Sequence, residues 1–291
     1  MKNAALATST LLFAGLGPAL PAVAGPAVAA EAPLDDACWE LTFDESFDTL
    51  RLEHSPDADD TYRWKTSYIW PRDVIINEEL QYYVDPTKSS YQPFSVDDGI
   101  LTIRADRRPA SIAAEGVEEQ EYLSGVLTTE NGFSQQYGRF EVMAKVPNGR
   151  GLWSAFWLLP SFERWPKGVS ILPEIDVMEH LGHAPRTFYT TLHTNQAGQL
   201  DSYSSEHRMK VDLSEDFHLY SVVWDEDSVD WYFDGRWLSS EPTPKDYTRP
   251  VHFLLNLAVG GNWPGAPDVS TVFPAEYQID YVRAWKRKQG C

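Results

Sequence analysis

Residues 221–238 read Ser-Val-Val-Trp-Asp-Glu-Asp-Ser-Val-Asp-Trp-Tyr-Phe-Asp-Gly-Arg-Trp-Leu. Ser221–Trp224 and Val229–Phe233 are short β-branched and aromatic runs on either side of the acidic turn Asp225–Ser228. Asp234-Gly235 is a tight hairpin signal, and Arg236-Trp237-Leu238 starts a third run. The spacing predicts antiparallel neighbours joined by minimal turns. The same texture extends outward. Gly99–Arg104 and Gly138–Val146 alternate, Val251–Ala258 is a long, mostly apolar run suited to a strand covered on both faces, and Ile279–Trp285 closes the chain. Regular strands separated by Gly, Pro and Asp turns, with little helical period, predict an all-β sandwich or jelly roll.

The chain has 291 residues, 43% of them hydrophobic, which suffices for one sizeable core. Residues 1–30 carry a single charge, Lys2, and then an Ala/Leu-rich stretch ending Ala27-Val-Ala-Ala30. This reads as a secretory signal peptide, which leaves 31–291 as a single domain. Gly15, Pro18, Pro21, Gly25 and Pro26 interrupt the stretch and oppose its reading as a membrane anchor. The expectation is a secreted protein, extracellular or periplasmic, with no membrane span and acting as a monomer. A formal charge of −19 repels nucleic acid and anionic lipid. Export permits a disulfide between the two cysteines, Cys38 and Cys291. Two free thiols are the alternative.

Residues 173–180 read Pro-Glu-Ile-Asp-Val-Met-Glu-His. Ile175, Val177 and Met178 are apolar, so the segment reads as a strand with acids on one face. Packing three acids together does nothing for a core and raises electrostatic energy. Strict alternation would put Glu174 and Asp176 together and Glu179 opposite. A β-bulge absorbing Met178 returns Glu179 to the shared face. Carboxylates at fixed separation are what glycoside hydrolysis requires, and a cation site built from three acids is the competing use.

The segment resembles the active-site motif of glycoside hydrolase family 16, acid-x-acid-x-x-acid in its bulged form. Further blocks resemble that family in order: Asn77–Tyr83, Tyr137–Glu141, Gly151–Trp157, Trp231–Gly235, Asn256–Gly265 and Ile279–Arg283. The laminarinase-like branch, endo-β-1,3-glucanases, is the nearest match. The resemblance implies a concanavalin A-like jelly roll with a concave glycan-binding cleft and a retaining mechanism. It makes Glu174 the nucleophile, Glu179 the acid/base and Asp176 the assisting acid. One departure stands out: Pro173 precedes Glu174 where the branch has Gly, and Trp165-Pro166 lies farther upstream. The expected consequence is a longer cleft-edge loop, and this leaves the exact polysaccharide open.

Sugar rings pack on aromatic faces while their hydroxyls need polar partners. Trp153, Trp157 and Trp263 are the candidate platforms, with core packing the alternative for Trp157. Asn77 and Asn256 are candidates to bond hydroxyls. His193, in the next predicted strand, is expected to bond a sugar hydroxyl or Glu179. His180 should point away from Glu179 by alternation. The resemblance also implies a structural calcium held by Asp280 with backbone carbonyls near Glu45 and Gly99, and no catalytic cofactor. The reading is a β-1,3-glucan hydrolase, with activity on mixed β-1,3-1,4 glucan as an extension. Agar, carrageenan or a bacterial exopolysaccharide is the alternative substrate, and a non-catalytic glycan-binding module is the alternative class.

Overall fold

The computed structural model describes residues 36–53, 63–112, 120–162 and 172–291. The leader expected over residues 1–30 and the loop around Trp165-Pro166 lie outside the described residues. The strands are β1 (Trp39–Glu45), β2 (Gln81–Tyr83), β3 (Phe94–Asp97), β4 (Ile100–Arg107), β5 (Tyr122–Ser124), β6 (Val126–Thr128), β7 (Gly138–Lys145) and β8 (Leu152–Pro160). They continue with β9 (Glu174–Leu181), β10 (Thr187–Thr194), β11 (Asp201–Arg208), β12 (His218–Trp224), β13 (Ser228–Phe233), β14 (Arg236–Pro242), β15 (Val251–Val259) and β16 (Ala275–Arg287). Two 3₁₀ turns are the only helical pieces among the described residues.

The larger sheet runs β14-β13-β12-β7-β16-β4-β5-β2, with β1 also paired to β16 and β3 to β4. The smaller runs β11-β10-β9-β8-β15-β6. This is a jelly roll. The opening stretch folds as its turns predict: Asp234 and Gly235 both have positive φ, 47° and 74°, which a two-residue turn matched to strand twist requires.

Strand alternation sends one side of each sheet inward. Phe140, Val142, Tyr220, Val222, Trp224 and Tyr277 from the larger sheet meet Phe156, Leu158, Ile175, Phe188, Phe253 and Leu255 from the smaller. Burying each such side chain contributes about 1.5–3 kcal/mol. All of Val251–Val259 is buried on both faces, as its apolar run predicts. The outer strand β11 is polar and mostly exposed, which suits a sheet edge.

Cys38 and Cys291 form a disulfide, with Cα atoms 5.6 Å apart. Trp39 pairs with Arg287 at the end of the antiparallel β1–β16 ladder, so the bridge joins the chain just beyond that ladder.

Candidate active site

The face of β8, β9 and β10 that points away from the core carries the three acids. Asp176 is 2% exposed and Glu179 9%, although they lie on an outer sheet face. They therefore form the floor of a cleft. Glu174, at the start of β9, is half-buried.

The register shows how three acids reach one face. On the β8 side, Ala155 pairs with Glu179, Phe156 with Met178, and Trp157 with Asp176; Val177 has no partner. On the β10 side, Tyr189 pairs with Glu179 and Thr191 with Asp176. The bulge is thus at the Val177–Met178 step, with Val177 passed over by β8 rather than Met178. Both side chains enter the core, because a bulge puts two residues opposite one. Ala155, small and directly across from Glu179, leaves room above it.

His193 sits across from Glu174 in the ladder. Its Nε2 lies 3.1 Å from Asp176 Oδ2, and its Nδ1 is 2.7 Å from Ser202 Oγ. The register aligns His193 with Glu174, the first acid, rather than with Glu179. His180 faces away, with Nδ1 2.9 Å from the Thr187 carbonyl, and burial lowers its pKa to about 4. The Trp231 indole N–H donates to the Asp176 carbonyl at 3.0 Å from the core side and fixes the strand from below.

Burial raises the Glu174 carboxyl well above its ordinary range. The Asp176 charge and hydrogen bond add to this, and Glu179 adds further. Glu179 is also raised well above its ordinary range, first by burial and then by Asp176. Thr191 and Trp153 offset part of that rise. The Thr191 hydroxyl donates to Glu179 Oε2 at 3.4 Å, whereas Trp153 Nε1 is buried with no partner in hydrogen-bond geometry, so Thr191 is the defined donor. Crowded, desolvated carboxyls cannot all ionise near neutrality, so the cluster keeps a proton.

Trp153 meets Trp263 edge to face at 5.4 Å, and Trp263 meets Tyr189 at 4.7 Å. These rings form a wall at the Glu179 end. The Trp263 loop is held against β8 at Gly151, where φ is +75° and a Cβ would lie 2.4 Å from Pro267 N. Trp157, 7% exposed, packs with Ala155, Leu159, Leu172 and Leu254 below Tyr68 and Trp70. Its indole donates to Asn256 Oδ1 at 2.8 Å, and Asn256 Nδ2 donates to Tyr83 Oη at 3.0 Å. Asn77 donates to Glu79 at 3.2 Å. Both asparagines, expected to bond sugar hydroxyls, are therefore engaged with protein groups that shape the cleft.

Sequence reasoning missed Glu79, Gln81, Tyr83, Tyr68 and Trp70. Gln81 donates to Glu79 at 2.6 Å and Tyr83 at 3.5 Å, while burial raises the Glu79 carboxyl to about 7. Positions 79, 81 and 83 alternate with Leu80 and Tyr82, a period-two polar face that could have revealed them. Tyr68 stacks on Trp70 at 4.4 Å and approaches Trp157 at 5.6 Å. Its approach segment carries no such periodicity.

Glu174, Asp176 and His193 offer ligand atoms within 4.8 Å of one another, an arrangement that could hold a metal ion. The residues expected to hold calcium gather elsewhere. Asp280 sits at a break in the β16–β7 register, and Glu45 pairs with Val282 on the same strand. Gly99, at φ +77°, lies close to the Ser46 carbonyl. The Glu45 carboxylate is occupied by Phe47 N at 3.1 Å and Trp64 Nε1 at 3.2 Å, so only its backbone oxygen fits a ligand role.

Residues 81–283 match the model of glycosyl hydrolases family 16. The chain is 39% identical over 259 residues to the endo-1,3-1,4-beta-glycanase EglC of Rhizobium meliloti, an alignment covering 87% of this chain and 53% of that protein. It therefore spans about half the length of EglC. It is 32% identical to the beta-glucanase of Rhodothermus marinus, with 85% of each chain covered. Its fold is similar to that of the laminarinase catalytic domain from Thermotoga maritima, with a TM-score of 0.71 and 33% identity over 86% of this chain and 99% of that one.

Proposed function

The chain belongs to glycosyl hydrolase family 16, and from that premise we propose that it is a retaining endo-β-glucanase acting on β-1,3 and mixed β-1,3-1,4 glucans. The observation that carries this reading is the bulged strand, which brings Glu174 and Glu179 to one cleft face with Asp176 between them. EglC, named an endo-1,3-1,4-beta-glycanase, and the Rhodothermus marinus beta-glucanase support the substrate class.

In the proposed reaction Glu174 attacks the anomeric carbon as a carboxylate. Glu179 gives its proton to the departing glycosidic oxygen, and a glycosyl ester forms on Glu174. Glu179, now ionised, takes a proton from water as that water attacks the same carbon and releases Glu174. Asp176, in contact with His193, lies between the two glutamates and adds to the burial that holds a proton on Glu179 until the leaving oxygen takes it. The wall of Trp153, Trp263 and Tyr189 supports the sugar on the Glu179 side, and the Trp157–Tyr68–Trp70 group the far side.

Reducing-sugar release from laminarin, lichenan, agar and carrageenan tests the reading. Release from laminarin and lichenan is expected; release from agar or carrageenan alone would reassign the substrate. We further propose export through residues 1–30, a monomeric state, and a structural calcium at Asp280, with the carbonyls of Glu45 and Gly99 completing its shell.

A further inference from the structure

Glu174 opens its strand directly after Pro173, which has no N–H to donate to a ladder. At this position a single side-chain hydroxyl, from the β14–β15 connection, meets the backbone of both neighbouring strands. Tyr247 Oη accepts the Glu174 N–H at 3.1 Å and lies 2.6 Å from the Glu174 carbonyl and 2.7 Å from the His193 carbonyl. Its one proton serves the two carbonyls. Glu174 and His193 face each other across the β9–β10 register, and their side chains flank Asp176.

We infer that the Tyr247 hydroxyl is a positioning group for the nucleophile: it locks the Glu174 and His193 backbones into the register that sets the Glu174–Asp176–His193 contact. The inference rests on the proposed hydrolytic role of Glu174. Tyr247 is 5% exposed, so a glucan in the cleft does not touch it. Its ring packs edge-on to Trp224 at 5.9 Å. Burial, with Asp176, Glu174 and Asp246 nearby, raises its pKa well above the ordinary tyrosine value, so the phenol keeps its proton. The preceding residue secures the same connection independently. Asp246 accepts Thr194 Oγ1 at 2.7 Å and the Asn195 N–H at 2.8 Å.

The test compares Tyr247→Phe with Asp246→Asn, which loosens the connection but leaves the hydroxyl in place. In Tyr247→Phe, kcat on laminarin or lichenan should fall about tenfold or more with KM within about twofold, since small misplacements of a reacting group are amplified in rate. The acid limb of kcat/KM should move to lower pH, because loosening the Glu174–Asp176 contact removes part of what raises Glu174. Exchange of the Glu174 amide should quicken. Asp246→Asn should lower Tm while keeping the parental acid limb and most of kcat. Three results would overturn the inference: Tyr247→Phe with parental kcat and acid limb, Tyr247→Phe that fails to fold, or Asp246→Asn with the same kinetic changes. A parent inactive on every glucan would instead count against the hydrolytic reading, and Glu174 amide exchange in Tyr247→Phe would still test the hydroxyl: parental exchange there would overturn it.

Discussion

Asp176 touches neither the bond to be broken nor bulk water, yet its charge reaches both glutamates. It follows burial among the causes that raise Glu174 and Glu179. Turnover requires Glu174 ionised and Glu179 protonated, so activity is lost below the first pKa and above the second. Both are raised, and the active window therefore sits at higher pH than two ordinary glutamates would give. Asp176→Asn removes a negative charge that disfavours ionisation of each, so both pKa values fall. Both limbs of the kcat/KM–pH profile should move to lower pH, with kcat reduced because His193 loses its charged partner. A profile that keeps its alkaline limb while kcat drops would mean that Asp176 acts on orientation alone.

At the scale of the strand, one extra residue decides the chemistry. Without the bulge, Glu174 and Glu179 would emerge on opposite sides of the sheet, one in the cleft and one in the core. Deleting Val177 removes the extra residue, so Glu174, Asp176 and Glu179 alternate on one face of a regular strand, and turnover should persist on laminarin and on aryl glucosides with activated leaving groups. Glu179→Ala should spare the activated substrates, whose departure needs no proton. Loss of all turnover in the Val177 deletion would contradict the argument that the extra residue acts only by setting which face Glu179 takes. This element was legible in the sequence because a late third acid breaks strict alternation. Which residue carries the bulge was not, since Val177 and Met178 are both apolar and either suits the core. β11 was missed because its Asp201–Arg208 run is polar on both faces, as an edge strand can be. Tyr247 gave no signal at all: Pro-Lys-Asp-Tyr-Thr-Arg-Pro reads as a turn, and its role exists only once the fold brings residue 247 to residue 174.

At the scale of the molecule, two sheets close around one core and Cys38 meets Cys291 beside the β1–β16 ladder. The disulfide there spans 253 positions of sequence, and the chain-entropy model credits such a closure with about 5 kcal/mol. Cys38→Ser with Cys291→Ser should lower Tm by several degrees and leave kcat unchanged, because the bridge lies away from the cleft face; a fall in kcat at temperatures well below Tm would contradict that separation. The all-β architecture was readable from turns and alternation, while the second wall of the cleft was not. Tyr68, Trp70 and Glu79 come from segments far from β9 in sequence, and only long-range packing joins them to Trp157. All of this packing serves one arrangement, a carboxylate at 174 placed to form a sugar ester. A 2-deoxy-2-fluoro laminaribiosyl fluoride, which forms that ester quickly and releases it slowly, tests it directly by peptide mass spectrometry. The account predicts a fluorosugar on the peptide carrying Glu174, attached at that residue. An adduct at Glu179, or an active enzyme that gains none, would contradict it.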